Sequence, residues 1–284
     1  MQRASAIYRG LLKAAIFSGL LVAGLSSATL AQDLPRTNAE DVGLSSQRLS
    51  RLTETFQRDV DAGEIPGAVV LVARNGKIAY EKAFGYQNRE DKIPMKPDAI
   101  FRIASMSKPI TSVAVMMLAE EGKIDLAAPV SQYLPEFKDM KVASDAEPAT
   151  RPMTVQDLLR HTSGLTYEFF AQNAAVKQGY VDAKVFNFDQ SLAEMVTKLS
   201  KLPLVHAPGA AWEYGMSTDA LGRIVEVASG MGFDQFLQER ITKPLNLAAT
   251  GFSVSQSQAG NIAEPQVEDL SRGMLKKKER RCSP

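Results

Sequence analysis

The chain has 284 residues, of which 45% are hydrophobic and 23% are charged. These are ordinary values for a globular protein, and they exclude a disordered chain, a collagen-like chain and a protein with many membrane spans. The formal net charge of +1 gives no reason to expect binding to nucleic acid. A single cysteine, Cys282, excludes an intrachain disulfide, and only two histidines exclude a histidine-rich zinc site.

The first 31 residues have the order of a secretory signal peptide. Basic residues precede an apolar run from Ala14 to Leu25, and small residues follow up to Ala31. The apolar run is short for a membrane span, and an uncleaved anchor is the alternative. We therefore expect residues 32–284 to form a periplasmic or secreted domain, without stable membrane association after cleavage.

The hydrophobic pattern predicts two early strands followed mainly by helices, which is an α+β organisation. Gly67 to Arg74 and Lys77 to Tyr86 are the strand candidates, and Asn75-Gly76 between them favours a type I′ hairpin turn. A loop is expected from Lys92 to Pro97. Ile100 to Ile103 is predicted to be a short strand or an extended segment that leads into the next helix. Helices are predicted at residues 44–61, 105–121, from 154 onward, 191–202, 219–229 and 233–241, with an irregular stretch at 169–189.

The C-terminal part offers no partner for this hairpin. No alternating apolar run follows Gly251, although two strands alone do not make a stable sheet. We therefore expect the C-terminal strands of the sheet to be missing. Residues 274–284 are predicted to be a basic, solvated tail rather than a nucleic-acid patch. Their abrupt change of composition also suits a premature end or a shifted reading frame.

Ser105-Met106-Ser107-Lys108 is the one Ser-x-x-Lys sequence in the chain. The i, i+3 spacing places both side chains on one face of a helix, and the helix N-terminus favours negative charge developing at the serine. A serine hydroxyl needs a base to become a nucleophile, and Lys108 can serve directly or through a third group. The alternative is a helix-capping serine followed by a surface lysine.

Tyr214 is the candidate for that third group. It lies on the loop Trp212 to Ser217, which contains a glycine and precedes the helix predicted at Asp219. A free phenol titrates near pH 10, but a nearby ammonium such as that of Lys108 would favour the phenolate. The tyrosine could then shuttle protons. The alternative is an ordinary interface aromatic with a satisfied hydroxyl.

Together these motifs resemble the serine β-lactamase and penicillin-binding-protein superfamily, in the branch of class C β-lactamases and their esterase relatives. The resemblance implies a sheet flanked by helices beside a helical lobe, and needs no metal or organic cofactor. It implies Ser105 as the acyl-accepting nucleophile, Lys108 as its partner and Tyr214 as the general base. Matching blocks occur at residues 65–68, 101–108, 122–126, 158–165, 208–209, 214 and 221–226.

Two departures from the family pattern bear on the substrate. Met216 occupies a position where the β-lactamases carry an asparagine that can contact the substrate amide. The third family motif, a Lys- or His-x-Gly segment on a C-terminal strand that completes the oxyanion hole, is not found. Losing one oxyanion donor costs about a hundred- to a thousandfold in rate.

These observations predict a small-ester carboxylesterase acting through an acyl-enzyme on Ser105. A class C-like β-lactamase or a D-amino-acid peptidase is the alternative, so the expected partner is a small ester or β-lactam, with no nucleic acid. A truncated, inactive or merely ligand-binding relative is the alternative from another class. His161 is interpreted as part of a structural turn rather than as a catalytic base.

Overall fold

A computed structural model describes residues 34–143 and 151–264 in full, and the backbone of two further strands at Gln266–Asp269 and Met274–Lys277. The predicted signal peptide lies outside the described residues, as does the basic tail beyond Lys277. Within the described part of the chain, no helix is both long enough and apolar enough to span a membrane.

The N-terminal part consists of a helix packed on a small antiparallel sheet. Ser45 caps the N-terminus of helix α1 (Ser46–Asp61), because its hydroxyl accepts the Arg48 N–H. Strands β1 (Gly67–Arg74) and β2 (Lys77–Asn88) pair as predicted. Asn75 and Gly76, with φ of 52° and 68°, both adopt the left-handed conformation that a type I′ turn requires.

Helix α1 covers one face of the hairpin. The rings of Phe56 and Phe84 stack with centroids 5.5 Å apart, and the hydroxyls of Thr53 and Tyr80 lie 2.8 Å apart. Phe84 is buried in this contact. The apolar surface that two strands alone would expose is therefore removed from water by the helix that precedes them.

The strand content differs from the sequence prediction in two places. The predicted loop at Lys92 to Pro97 contains a third strand, β3 (Ile93–Pro94), which extends the sheet in the order β1-β2-β3. Two residues, one of them a proline, carry no alternating pattern that could have indicated a strand.

Two strands follow Gly251, although the sequence shows no alternating apolar run there. Strands β4 (Gln266–Asp269) and β5 (Met274–Lys277) pair with each other antiparallel, so the predicted basic tail begins with a strand. Charged residues interrupt both segments, which hides the period-two signal. In the described part of the chain these strands form a separate two-stranded sheet and do not extend β1-β2-β3.

The remaining helices form a lobe around one apolar core. A helix at Ala174–Asp182 lies inside the stretch predicted to be irregular, and Asn173 caps it by accepting the N–H groups of Ala175 and Val176. The helices are α2 (Ser107–Glu120), α3 (Val155–Leu159), α4 (Ala174–Asp182), α5 (Leu192–Leu199), α6 (Ser217–Ser229) and α7 (Phe233–Leu237). The fully buried members of this core include Val115, Leu118, Leu158, Leu199, Ile224 and Phe236.

Candidate active site

The turn that carries Ser105 precedes helix α2 rather than opening it. A single 3₁₀ turn spans Ala104–Met106, and α2 begins two residues later than predicted, at Ser107. Ala104 has φ of 44°, a left-handed conformation that costs a non-glycine residue of order 1–3 kcal/mol. Such strain immediately before a candidate nucleophile indicates that the surrounding structure holds the serine in a fixed position.

The structure brings the three predicted site residues together. The Ser105 Oγ lies 2.6 Å from the Tyr214 Oη, and the Lys108 Nζ donates a hydrogen bond of 3.2 Å to the same Oγ. The Lys108 Nζ also lies 4.7 Å from the centre of the Tyr214 ring. A nucleophile, a cation and a phenol therefore share one hydrogen-bonded centre, although 109 residues separate Ser105 from Tyr214.

The charge of Lys108 makes Tyr214 a better base. Hydrogen bonding from Lys108, followed by that from Ser105, lowers the pKa of Tyr214 below its usual value of 10.0. Burial and the carboxylate of Asp219 oppose this change without cancelling it. A phenolate closer to neutral pH can accept the Ser105 proton more readily than an ordinary tyrosine could.

The loop on either side of Tyr214 is held by the segment that follows α3. The Glu213 N–H donates to the His161 carbonyl at 2.8 Å, and the Thr166 hydroxyl donates to the Glu213 Oε1 at 2.5 Å. Thr166 is fully buried, and the Glu213 carboxylate is much closer to its hydroxyl than the other acceptor within reach, the Tyr167 carbonyl at 3.3 Å. These two contacts fix the residue immediately before the phenol.

Gly215 fixes the other side of Tyr214 because it allows two backbones to approach closely. A Cβ at this position would lie 2.4 Å from the Leu165 carbonyl oxygen and equally close to the Thr166 Cα. Only glycine fits such a contact. The glycine that the sequence analysis noted in this loop is therefore a packing requirement as well as a turn signal.

An ion pair between the buried Asp157 and the partly exposed Arg151 stabilises the turn that contains His161. Arg151 makes two hydrogen bonds to the Asp157 carboxylate, at 2.7 and 2.9 Å, and Thr162 donates a third at 2.9 Å. Burial alone would raise the pKa of Asp157, but these bonds and those from Thr154 outweigh it and lower the pKa to about 2. Asp157 is also the N3 residue of the capping box that opens α3, with Thr154 as the N-cap.

His161 packs against the site as a neutral ring. Its centroid lies 5.0 Å from that of Tyr214, and its Nδ1 is buried with no hydrogen-bond partner in the described part of the chain. Burial, with Lys108 adding to it, lowers the pKa of His161. A neutral imidazole against the phenol face matches the interpretation of His161 as a structural residue.

The side chain of Met216 is buried. It is 4% exposed and belongs to the core of the helical lobe. A contact between this residue and a substrate amide, as expected for the asparagine of the β-lactamases, would require a side chain that reaches the substrate. The burial of Met216 explains an apolar residue here without reference to the substrate.

The sequence analysis missed a set of aromatic residues around Tyr214. The Tyr167 and Phe170 rings lie 5.6 and 5.9 Å from it, and the Trp212 ring stacks on it at 6.0 Å. The sequence signal was present, as aromatics at residues 169, 170, 186 and 188 in the stretch described only as irregular and at residue 167 just before it. Among the described residues no group of three or more acidic, histidine or cysteine side chains could hold a metal ion.

Comparison with known proteins identifies the family. The family model described as Beta-lactamase matches residues 52–269, which is most of the chain. The chain belongs to the Beta-lactamase family. This confirms the resemblance stated from the sequence motifs, and with it the α+β architecture of this family.

Among members of the Beta-lactamase family, this chain is similar to esterases and acyltransferases. It is 36% identical over 208 residues to Esterase EstB of Burkholderia gladioli, covering 72% of this chain and 51% of that esterase. It is 32% identical over 254 residues to Acyltransferase mokF of Monascus pilosus, covering 82% and 60% respectively.

A solved structure of EstCE1, "a hydrolase with promiscuous acyltransferase activity", superposes with a TM-score of 0.72 at 29% identity and covers 81% of this chain and 59% of that one. The chain spans about half to three fifths of the length of these relatives. They place it in the serine hydrolase superfamily.

Proposed function

We propose that this protein hydrolyses small carboxylic esters through an acyl-enzyme on Ser105. The observation that carries the proposal is the 2.6 Å contact between the Ser105 hydroxyl and the Tyr214 phenol, with Lys108 donating to the same hydroxyl. The similarity to an esterase and to a hydrolase supports it.

The reaction follows from this geometry in two halves. Tyr214, as phenolate, takes the proton of Ser105 while the Oγ attacks the ester carbonyl carbon and the carbonyl oxygen becomes an oxyanion. The oxyanion collapses, the bond to the alcohol oxygen breaks, and Tyr214 returns the proton to that oxygen. Water then gives a proton to Tyr214 and attacks the acyl carbon. The bond between that carbon and the Ser105 Oγ breaks, Tyr214 returns the proton to Oγ, and the acid is released with Ser105 and the phenolate restored.

One oxyanion donor can be assigned within this mechanism. The Ser105 N–H lies in the first turn of a helical segment, where helix geometry supplies no acceptor for it. An oxyanion bound there would also benefit from the N-terminal end of α2. A missing second donor would lower the rate by about a hundred- to a thousandfold.

Acyl transfer to an alcohol is the second candidate reaction. It uses the same acyl-enzyme, and an alcohol replaces water in the second half. The names of two similar proteins, an acyltransferase and a hydrolase with acyltransferase activity, favour it. Product analysis of p-nitrophenyl butyrate turnover with added butanol separates the two, since transfer yields butyl butyrate and hydrolysis yields butyrate.

The decisive experiment measures turnover of p-nitrophenyl butyrate by the full chain beside a Ser105→Ala control, with nitrocefin as the β-lactam comparison. We expect turnover of the ester that disappears in the control, and little or no turnover of nitrocefin. A folded sample without ester turnover would overturn the proposal and favour an inactive or ligand-binding relative. Preference for nitrocefin would favour the β-lactamase alternative.

We also propose that residues 1–31 direct export to the periplasm or medium. The order of basic, apolar and small residues supports this. Sequencing of the N-terminus after expression in a Gram-negative host tests it. A mature N-terminus near residue 32 in the periplasmic fraction is expected, and an intact Met1 in the cytoplasm would contradict it.

A further inference from the structure

Aromatic rings form a continuous surface that starts at Tyr214 and runs outward. On one side Trp212 stacks on Tyr214 with an angle of 18° between the rings. On the other side Phe170 contacts Phe169 at 4.8 Å, and the contacts continue to the rings of residues 186 and 188. We name this surface the aromatic shelf; its members are Tyr167, Phe169, Phe170, Phe186, Phe188 and Trp212.

The outer rings of the aromatic shelf are not part of the core. Trp212 is 66% exposed, Phe188 61% and Phe169 54%. A contiguous apolar patch of this kind beside a polar reactive centre is typical of a ligand-binding surface. Tyr167 and Tyr214 join the shelf to the core and to the catalytic hydroxyl, so the patch and the reactive centre are continuous.

The position of the proposed base shows which part of the substrate reaches the shelf. A group that takes the proton from the nucleophile returns it to the leaving oxygen, so that oxygen comes within hydrogen-bond reach of the Tyr214 Oη. Whatever is attached to the leaving oxygen is then next to Tyr214, whose neighbours are the rings of the shelf. The acyl group lies on the other side of the reacting carbon.

We propose that the aromatic shelf binds the alcohol part of the ester and selects alcohols that are bulky and apolar, aryl-alkyl alcohols among them. The proposal rests on the assignment of Tyr214 as the proton donor to the leaving group. Contact with one additional phenyl ring should raise kcat/KM about tenfold over the ethyl ester of the same acid, within the range known for apolar pockets.

Binding can be measured without any turnover, because Trp212 is the only tryptophan in the chain and lies on the shelf. In the Ser105→Ala variant, phenethyl alcohol should quench or shift the tryptophan emission saturably, and ethanol should not. Phe169→Ala should raise the dissociation constant for phenethyl alcohol, measured from this saturable response, about tenfold. Phe252→Ala is the matched control, since Phe252 is 64% exposed but contacts Phe233 in a different part of the protein.

The hydrolysis arm compares phenethyl and ethyl butyrate, and then p-nitrophenyl acetate and octanoate. Phe169→Ala and Phe188→Ala should remove the preference for the phenethyl ester and leave the acyl-length preference unchanged. A preserved phenethyl preference, or a loss confined to the octanoate, would overturn the assignment to the alcohol. Saturable binding without hydrolysis would contradict the proposed function but support the shelf, and absence of saturable binding would overturn the shelf.

Discussion

The hydroxyl of Thr166 donates a hydrogen bond of 2.5 Å to the carboxylate of Glu213, the residue immediately before the proposed base Tyr214. Thr166 is fully buried, and the Glu213 side chain is only 19% exposed. The backbone N–H of Glu213 is held separately by the His161 carbonyl. The phenol is therefore positioned through the residue beside it, by contacts formed some fifty residues earlier in the chain.

Replacing Thr166 by valine should slow the reaction without weakening substrate binding. The variant keeps the shape of the side chain but leaves the Glu213 carboxylate without its donor, which costs about 1–3 kcal/mol. We expect kcat for p-nitrophenyl butyrate to fall about tenfold with KM nearly unchanged, because a small misplacement of the base affects the transition state most. Thr197→Val is the control, since Thr197 is exposed on α5 and bonds only to the Ala193 carbonyl. A change confined to KM would contradict a positioning role.

The pH profile of hydrolysis tests the assignment of Tyr214. The basic form of the phenol is the active one, so kcat/KM should rise with pH through its pKa and then level off. Lys108 holds that pKa below the usual 10.0, and Lys108→Gln should therefore move the rising limb to higher pH. Tyr214→Phe should lower kcat by about 10²- to 10⁴-fold.

The control for this profile is Lys243→Gln, which removes the charge of an exposed lysine. This variant should leave the rising limb of the kcat/KM profile at the same pH. A rising limb at the same pH in the Lys108→Gln variant would mean that another group titrates, and would remove Tyr214 from the role of base.

Much of this architecture could be predicted because local signals agreed with the tertiary structure. The hairpin followed from Asn75-Gly76 between two strand candidates, and the helix predicted from residue 154 onward is α3, which Thr154 and Asp157 cap. The site residues followed from Ser-x-x-Lys and a tyrosine loop. Their meeting depends on contacts between distant segments. The chemical roles argued for Ser105, Lys108 and Tyr214 and the family resemblance both suggested it, but no local pattern could establish it.

The failures have physical causes that a single sequence hides. Strand β3 exists because Ile93 and Pro94 reach an open edge of β2, which no local pattern reveals. The aromatic shelf was missed because its rings follow neither helical nor strand periodicity, and their proximity comes from the fold of the loop around Tyr167. The side-chain direction of Met216 depends on where α6 begins, one turn from Tyr214.

Asp157 should make stability dependent on pH in the acid range. Its pKa is about 2 in the folded protein against an unperturbed value of 3.8, so it stabilises the fold fully above the unfolded value. That contribution, on the order of 2 kcal/mol, should disappear as the pH falls from about 4 to about 2. Urea unfolding followed across this range measures it.

The Asp157→Asn variant should unfold at lower urea concentration at neutral pH and lose most of the acid dependence between those pH values. Asp182→Asn is the matched control, because Asp182 is exposed and accepts only from Gln178. An unchanged pH dependence in Asp157→Asn would show that other carboxylates cause the acid sensitivity.

Met216→Asn tests whether the family asparagine position controls the choice between esters and β-lactams. Because Met216 is buried in the lobe core, an asparagine there loses apolar packing and buries an amide without assured partners, which together cost about 2–5 kcal/mol. We expect a clear loss of stability in urea and an unchanged ratio of p-nitrophenyl butyrate to nitrocefin turnover. Met216→Leu, which preserves the volume, should cost less than about 1.5 kcal/mol and serves as the control. A shift of the ratio toward nitrocefin in the folded asparagine variant would contradict this expectation and show that the side chain at this position reaches the substrate.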